Sequence, residues 1–315
     1  MDAPKLIICG SIAIDRIMSF SGRYKDLIKP DNLDVLSISP LLDNLQNSVG
    51  GIGANITYNL ARLGERPVLL GSVGPDGGNY VQSLQNMGID TSYVHTSTLA
   101  TASFNVISDS DGNQVGGFYP GAMSDSESLT FKPWQGQNAL VMISAHDPVA
   151  MNHQVAESQS LGLPLIYDPG QQVTHPATDL AAGINAAKIL FVNEFELGIL
   201  CEKAMTSPDD LKAKVPIVIT TLGKNGSIIA GQDVPSPLEI AIATPTKVVD
   251  PTGAGDAYRA GFLYGYLRQW DLRVCGQLGA VLASFIVEHQ GTQCEFSKQD
   301  VMGRYQENFK EEIKL

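Results

Sequence analysis

Apolar residues fall along this chain in two alternating rhythms. Short continuous runs read as strands buried on both faces: LIIC (6–9), PVLLGSVG (67–74), ALVMISA (139–145), PLIYD (164–168), KILFVN (188–193) and PIVITTLG (216–223). Other segments space their apolar residues for helices, namely ANITYNLARLG (54–64), stopped by Gly64, and YVQSLQNMG (80–88). Asp147-Pro148 reads as the N-cap and first residue of a helix reaching about Leu161. Residues 256–315 are mostly helical in pattern. This alternation predicts an α/β fold, a parallel-rich central sheet with helices on both faces.

Two stretches break the rhythm. Residues 15–49 carry VLSIS (35–39) in polar, Pro-containing surroundings, and residues 101–119 alternate in polarity around an Asp111-Gly112 turn, a hairpin signal. Antiparallel pieces between the early strand–helix units predict a small β lid, formed by about 15–49 and 99–121. It would stand over the carboxyl ends of the parallel strands, where open α/β sheets bind ligands. With no repeat, low-complexity tract or linker, residues 1–315 are expected to form a single domain.

Composition narrows the partners. Hydrophobic residues make up 43% and charged residues 17%, the balance of a folded chain with a core. Lys+Arg 21 against Asp+Glu 33 gives a net charge of −12, which argues against nucleic-acid and anionic-membrane partners. No stretch approaches 18 apolar residues, so no membrane span is expected. The start, MDAPKLIICGS, lacks a signal peptide's basic region and long apolar core. Cys9, Cys201, Cys275 and Cys294 are scattered without C-x-x-C, which suits reduced thiols and a cytoplasmic setting. The five His residues show no metal-ligand spacing.

The chemistry concentrates in VVDPTGAGDAYRAGF (248–262), read as an apolar strand running into Asp250-Pro251, then small residues, then Asp256 and a helix. Gly253, Ala254 and Gly255 strip away side-chain bulk at a positive helix end, leaving backbone N–H groups for an anion. Asp256 sets a carboxylate beside that anion. Phosphate binding does not need such a carboxylate. Phosphoryl transfer does, because a base must accept the proton of the attacking hydroxyl. The plain alternative is a first-turn carboxylate compensating the helix dipole.

Residues 250–256 resemble the signature of the ribokinase-like (PfkB) family of sugar and nucleoside kinases. Further pieces fall in the family's order: GSIAID (10–15), GGIGAN (50–55), GSVGPDG (71–77), NEFE (193–196) and TTLGKNG (220–226). The resemblance therefore spans nearly the whole chain and implies the ribokinase-like fold. Within the family, GSIAIDRIM, GGFYPGAMSD (116–125), DPGQQ (168–172) and Arg259 of the signature look like bacterial adenosine kinases.

The resemblance implies ATP-dependent phosphorylation of a nucleoside 5′-hydroxyl, adenosine to AMP, with Asp256 as base and Gly253, Ala254 and Gly255 as anion hole. It puts a ribose at Asp15, whose carboxylate can accept two hydrogen bonds from a vicinal diol. Gly50, Gly51 and Asn55 would approach the same sugar, with Ser11 a weaker partner. Phe104 and Phe118, on the two hairpin strands, could stack on a purine or simply form the core of a small sheet. Gln171 and Gln172 are nucleoside contacts or a polar loop.

Asn193 and Glu196 resemble the family's N-x-x-E element, which implies Mg²⁺ reached by Glu196 through water. An Asn193 helix cap is compatible with that. Thr221, Gly223 and Gly226 suit the nucleotide, and the resemblance makes Asp250 with Thr252 a candidate site for a monovalent cation such as K⁺. A ribokinase-like sugar kinase and a non-catalytic nucleoside-binding protein on the same fold stay open, as does a homodimer.

Other phosphate chemistries fail on spacing. The chain has no G-x-x-x-x-G-K-[ST], no H-R-D or D-F-G, and no G-x-G-x-x-G at Gly71, Gly74 and Gly77. DSDGN (109–113) lacks the Gly and Glu positions of a Ca²⁺ loop, where Gln114 and Pro120 stand instead.

Overall fold

The computed structural model describes residues 3–28 and 37–315. In chain order its strands are β1 (Lys5–Cys9), β2 (Ala13–Ser19), β3 (Asn44–Gly50), β4 (Val68–Val73), β5 (Val94–Thr96), β6 (Ser103–Ser108), β7 (Gln114–Tyr119), β8 (Ala139–Ser144), β9 (Leu165–Asp168), β10 (Ala187–Asn193), β11 (Ile217–Thr221), β12 (Ser227–Ala230) and β13 (Leu238–Ile240). The helices are α1 (Tyr24–Leu27), α2 (Ile52–Arg62), α3 (Gly78–Asn86), α4 (Pro148–Ser160), α5 (Leu180–Ala186), α6 (Glu194–Lys203), α7 (Pro208–Lys214), α8 (Ala254–Leu267), α9 (Leu272–Ile286) and α10 (Lys298–Phe309).

The main sheet runs β13-β12-β11-β10-β9-β8-β1-β4-β5, parallel from β5 to β11, with β12 and β13 antiparallel at one edge. Alternate residues of β1 show why both faces are covered. Leu6 and Ile8 pack toward α2, α8 and α9, whereas Ile7 and Cys9 pack toward Met151 and Val155 of α4. A strand apolar at every position requires helices on each side. Chain order reverses at β1, which lies between β4 and β8, so the carboxyl ends of β1 and β8 mark the switch point where such sheets hold ligands.

A second sheet, β3-β2-β6-β7, forms the expected lid. Its hairpin turns at Gly112, with φ +83°. No described residue of VLSIS is part of it. Residues 35 and 36 lie outside the described residues, and 37–39 form no strand. Its place is taken by the polar NLQNSVG of β3, paired over seven residues with β2. Main-chain pairing, not burial, makes that strand.

The strand expected before Asp250 is also absent. Val248 and Val249 are 72% and 47% exposed, and the N–H groups of Val249 and Asp250 both donate to the Val287 carbonyl, at 2.7 and 3.3 Å. β11 already has β10 and β12 on its two edges, so no main-sheet position beside it is free.

α8 is seated against α9 at near backbone contact. A Cβ on Gly261 would lie 2.7 Å from the Leu278 carbonyl oxygen, and one on Gly279 would lie 2.8 Å from that of Tyr258. That seat fixes the start of α8 relative to the sheet. The four cysteines are free, buried thiols. Among the described residues no helix is long and apolar enough to cross a membrane.

Candidate active site

The start of α8 is built by a left-handed residue. Gly253, at φ +84°, is the N-cap, and a Cβ there would come within 2.8 Å of the Thr292 Cα, so both conformation and space require glycine. Ala254 N–H turns back to the Pro251 carbonyl at 3.2 Å, while Gly253, Gly255 and Asp256 N–H have no acceptor among the described residues. The donors open to an anion are therefore those of Gly253, Gly255 and Asp256. Ala254, expected in that set, is spent closing the turn.

Asp256 is half-buried at the mouth of this loop. Asn55, in the first turn of α2, donates from Nδ2 to Asp256 Oδ2 at 2.8 Å. The Asn55 Oδ1 in turn accepts from Thr292 Oγ1 at 3.0 Å and Gln293 Nε2 at 3.1 Å, and Gln293 Nε2 reaches Tyr80 Oη at 2.6 Å. Asn55 thus holds the carboxylate directly. Burial raises Asp256 to about 6, against the charge of Arg259 and the Asn55 hydrogen bond, with Asp168 and Glu196 pushing further upward.

Asp15 lies in lid strand β2. Its Oδ1 accepts from Phe104 N–H at 3.2 Å, and a Cβ on Gly50 would lie 3.0 Å from Oδ2 and 3.5 Å from Thr292 Oγ1. Thr292, which also holds Asn55, thus links the surroundings of Asp15 and Gly50 to those of Asp256. Burial raises the Asp15 pKa, partly offset by the Phe104 N–H.

Phe104 pairs directly with Phe118 across β6 and β7, and both side chains share the Asp15 face of the lid. They are 41% and 51% exposed, so they are not the core of that sheet.

Other expected residues serve the frame. Ser11 Oγ accepts from Ile52 N–H at 3.0 Å and so caps α2 from inside. At Gly51, φ +93°, a Cβ would strike the Ser11 carbonyl oxygen at 2.5 Å, so its need for glycine is internal. Gly226, φ +87°, packs against the Ile240 backbone while its carbonyl accepts from Leu222 N–H at 2.8 Å. Asp250 accepts from Thr252 N–H at 2.9 Å, Gln290 Nε2 at 2.9 Å and Gly291 N–H at 3.0 Å, which pins the loop before α8.

Thr221 and Gly223 end β11 and open the following turn, half-buried and exposed respectively. Gln171 and Gln172 follow β9 in a helical turn, the first exposed and the second half-buried. Asn193 and Glu196 form a complete capping box on α6, each side chain accepting from the other's N–H at 2.8 Å. Only Oε2 of Glu196 is used in that way; burial first, then Asp168, raises this carboxyl's pKa.

Thr292, Gln293 and Tyr80 join the site without having been anticipated. No motif marks HQGTQC (289–294); only its glycine, at φ +84°, hints at a tight loop.

Comparison with known proteins identifies the family. The sequence profile of the pfkB family of carbohydrate kinases matches residues 22–299. A nucleoside kinase of Methanothermobacter thermautotrophicus is 36% identical over 276 residues, covering 85% of this chain and 87% of its own. One from Methanocaldococcus jannaschii is 33% identical over 255 residues, 80% and 83% of the two chains. The Burkholderia thailandensis nucleoside kinase in complex with inosine superposes with a TM-score of 0.84 at 29% identity, over 98% of this chain and 99% of that one. Arabidopsis thaliana ribokinase, complexed with ribose and ATP, shares the fold at 23% identity and TM-score 0.75, over 96% and 99%. A family profile spanning most of the length, and relatives similar over most of theirs, show that the chain belongs to the PfkB family of carbohydrate kinases, with a ribokinase-like fold and nucleoside or sugar kinase function.

Proposed function

We propose that this kinase phosphorylates the 5′-hydroxyl of a nucleoside with ATP, converting adenosine to AMP. The observation that carries the reading is the uncovered Phe104–Phe118 pair on the same lid face as Asp15. A sugar held by Asp15 and Gly50 would carry its base toward those rings, and a free sugar would leave them bare. The nucleoside kinase relatives, one of them in complex with inosine, support the same class.

The chain's own groups then divide the work. Asp15 accepts hydrogen bonds from the ribose diol, and Gly50 lets the sugar approach. Asn55 orients Asp256, which takes the proton as the 5′-oxygen forms its bond to the γ-phosphorus. The bond from that phosphorus to the β–γ bridging oxygen breaks, and ADP leaves with the electron pair. The free N–H groups of Gly253, Gly255 and Asp256 meet the charge developing on the transferred group.

Glu196 has a carboxylate oxygen, Oε1, outside the capping box, and this fits a water-mediated hold on Mg²⁺. When bound, that ion neutralises phosphate charge. Asp250 already receives three N–H donors, so the residues present do not single out a monovalent-cation site there.

Changing Phe104 or Phe118 to Ala should weaken adenosine binding by about 1–3 kcal/mol, the scale of base–aromatic stacking, and leave ribose binding nearly unchanged. Isothermal titration with both ligands checks this. Equal losses for the two would remove the stacking role. Coupled ADP-release assays with adenosine, inosine, ribose and fructose test the substrate class. Turnover of the free sugars without the nucleosides would overturn the reading.

A further inference from the structure

Arg259 stands one turn beyond Asp256 on α8, on the same flank. Its side chain is only 8% exposed, and it is committed to Asp168, the last residue of β9, itself 1% exposed. Nη2 donates to Oδ1 at 2.6 Å. Nε stands 2.6 Å from Oδ2, an ion contact whose angle falls outside a hydrogen bond. The guanidinium lies 5.6 Å from the centre of the Phe191 ring, and a Cβ on Gly255 would come within 2.8 Å of Nη1. The cation therefore runs along the side of the anion-binding loop.

A buried ion pair of this kind is poor value for stability alone, because an apolar pair of similar volume often does as well. What it does supply is fixed charge. Asp168, Glu196 and Asp256 come from three elements, β9, α6 and α8, and all three interact electrostatically with this one guanidinium. Burial works against the charge on Arg259, but those carboxylates hold its pKa above the usual arginine range. Without the cation, the buried Asp168 and Glu196 and the half-buried Asp256 would repel one another uncompensated, which favours the neutral form of each.

We propose that Arg259, anchored by Asp168, is a positioning residue for phosphoryl transfer, whose fixed charge keeps Asp256 ionised at neutral pH while anionic phosphate fills the site. This rests on the reading of Asp256 as general base. The groups facing Asp256 are Arg259 on its own helix, Asp168 from β9, Glu196 from α6 and the neutral Asn55 amide from α2. Tyr80 of α3 and Asp15 of β2 lie on the other side, and the Tyr80 hydroxyl feels both carboxylates. Among these groups Arg259 is the strongest influence favouring the charged form of Asp256.

Profiles of kcat/KM for adenosine against pH, at saturating ATP, test the proposal because they report the titration of the base in the enzyme that holds ATP and no nucleoside. Arg259→Met should move the acid limb up by about one pH unit, the lower end for losing an adjacent opposite charge. The rate relative to wild type would then fall roughly sevenfold further at pH 5.5 than at pH 8. Asp168→Asn should move the limb the other way, since it removes a carboxylate and leaves the guanidinium. Arg259→Lys should restore most of the wild-type limb.

Arg259→Met strands a buried carboxylate and could fail to fold, so the paired variant Asp168→Asn with Arg259→Met is measured beside it. Its limb should also lie above that of wild type, because Arg259 acts on Asp256 more strongly than Asp168 does. Titration of the ATP phosphates is common to every variant and cancels in the comparison. An equal loss at every pH with an unmoved limb, or an upward shift in Asp168→Asn, would overturn the proposal. Full turnover by Asp256→Asn would instead overturn the base assignment on which it rests.

Discussion

Asp256→Asn should abolish turnover while nucleoside affinity stays near that of wild type. Volume and hydrogen-bonding shape survive the change, since the new side-chain oxygen can still accept from Asn55 Nδ2. Basicity does not survive. A positioned general base contributes about 10²–10⁴-fold, so kcat should fall at least about a hundredfold. Coupled ADP release gives kcat and isothermal titration gives affinity; a variant keeping a third of wild-type kcat would sink the assignment. In the wild type, activity should decline as pH falls through about 6, where the raised carboxyl takes up its proton.

The same shift acts on stability with a definite sign. Asp256 binds a proton more readily folded, at about 6, than at its ordinary value of 3.8. The folded state is therefore favoured below that ordinary value and loses this contribution as pH rises through about 6. Asn carries no charge to bury at any pH, so the melting temperature of Asp256→Asn at pH 8 should not fall below that of wild type. Lost activity with intact stability would place the defect in chemistry rather than folding.

What could be read before the structure follows from how local each determinant is. The parallel strands were legible because burial on both faces leaves nearly continuous apolar runs, as in ALVMIS, every residue of which is buried. The Gly253 loop was legible because a left-handed N-cap and a backbone approach of 2.8 Å tolerate no other residue. β3 falls within the expected lid range 15–49 but was not singled out there, because its backbone pairing leaves almost no apolar imprint on NLQNSVG. Thr292 and Gln293 reach Asn55, and Gln293 reaches Tyr80, through hydrogen bonds that span 213 to 238 residues along the chain, which no local pattern records.

Resemblance also blurs scaffold with contact. Ser11, Gly51 and Gly226 match family motifs, yet the structure spends them on capping and backbone packing. Ala254 has its N–H turned inward to Pro251, a detail that a run of small residues cannot reveal. Arg259 stood out in sequence only as a subgroup mark. Its pairing with Asp168, 91 positions away, required the fold.

Asp15→Ala should weaken nucleoside binding by about 1.5–3 kcal/mol, roughly 10- to 150-fold, the cost of losing charge-assisted hydrogen bonds to the ribose diol. ATP affinity should hold, because Asp15 sits on lid strand β2 and not in the loop at the start of α8 that is read as the anion hole. The substitution also takes the acceptor from Phe104 N–H, so Asp15→Asn is the companion variant, keeping an acceptor and losing the charge. It should fall between wild type and Ala if the ribose contact dominates. Calorimetry with adenosine and with ATP separates the ligands, and the contrary result is unchanged adenosine affinity beside weakened ATP. Kinetics separate Asp15 from Asp256. Saturating nucleoside should restore much of kcat in Asp15→Ala, whose loss lies mainly in binding, and none in Asp256→Asn, whose loss lies in the proton transfer itself.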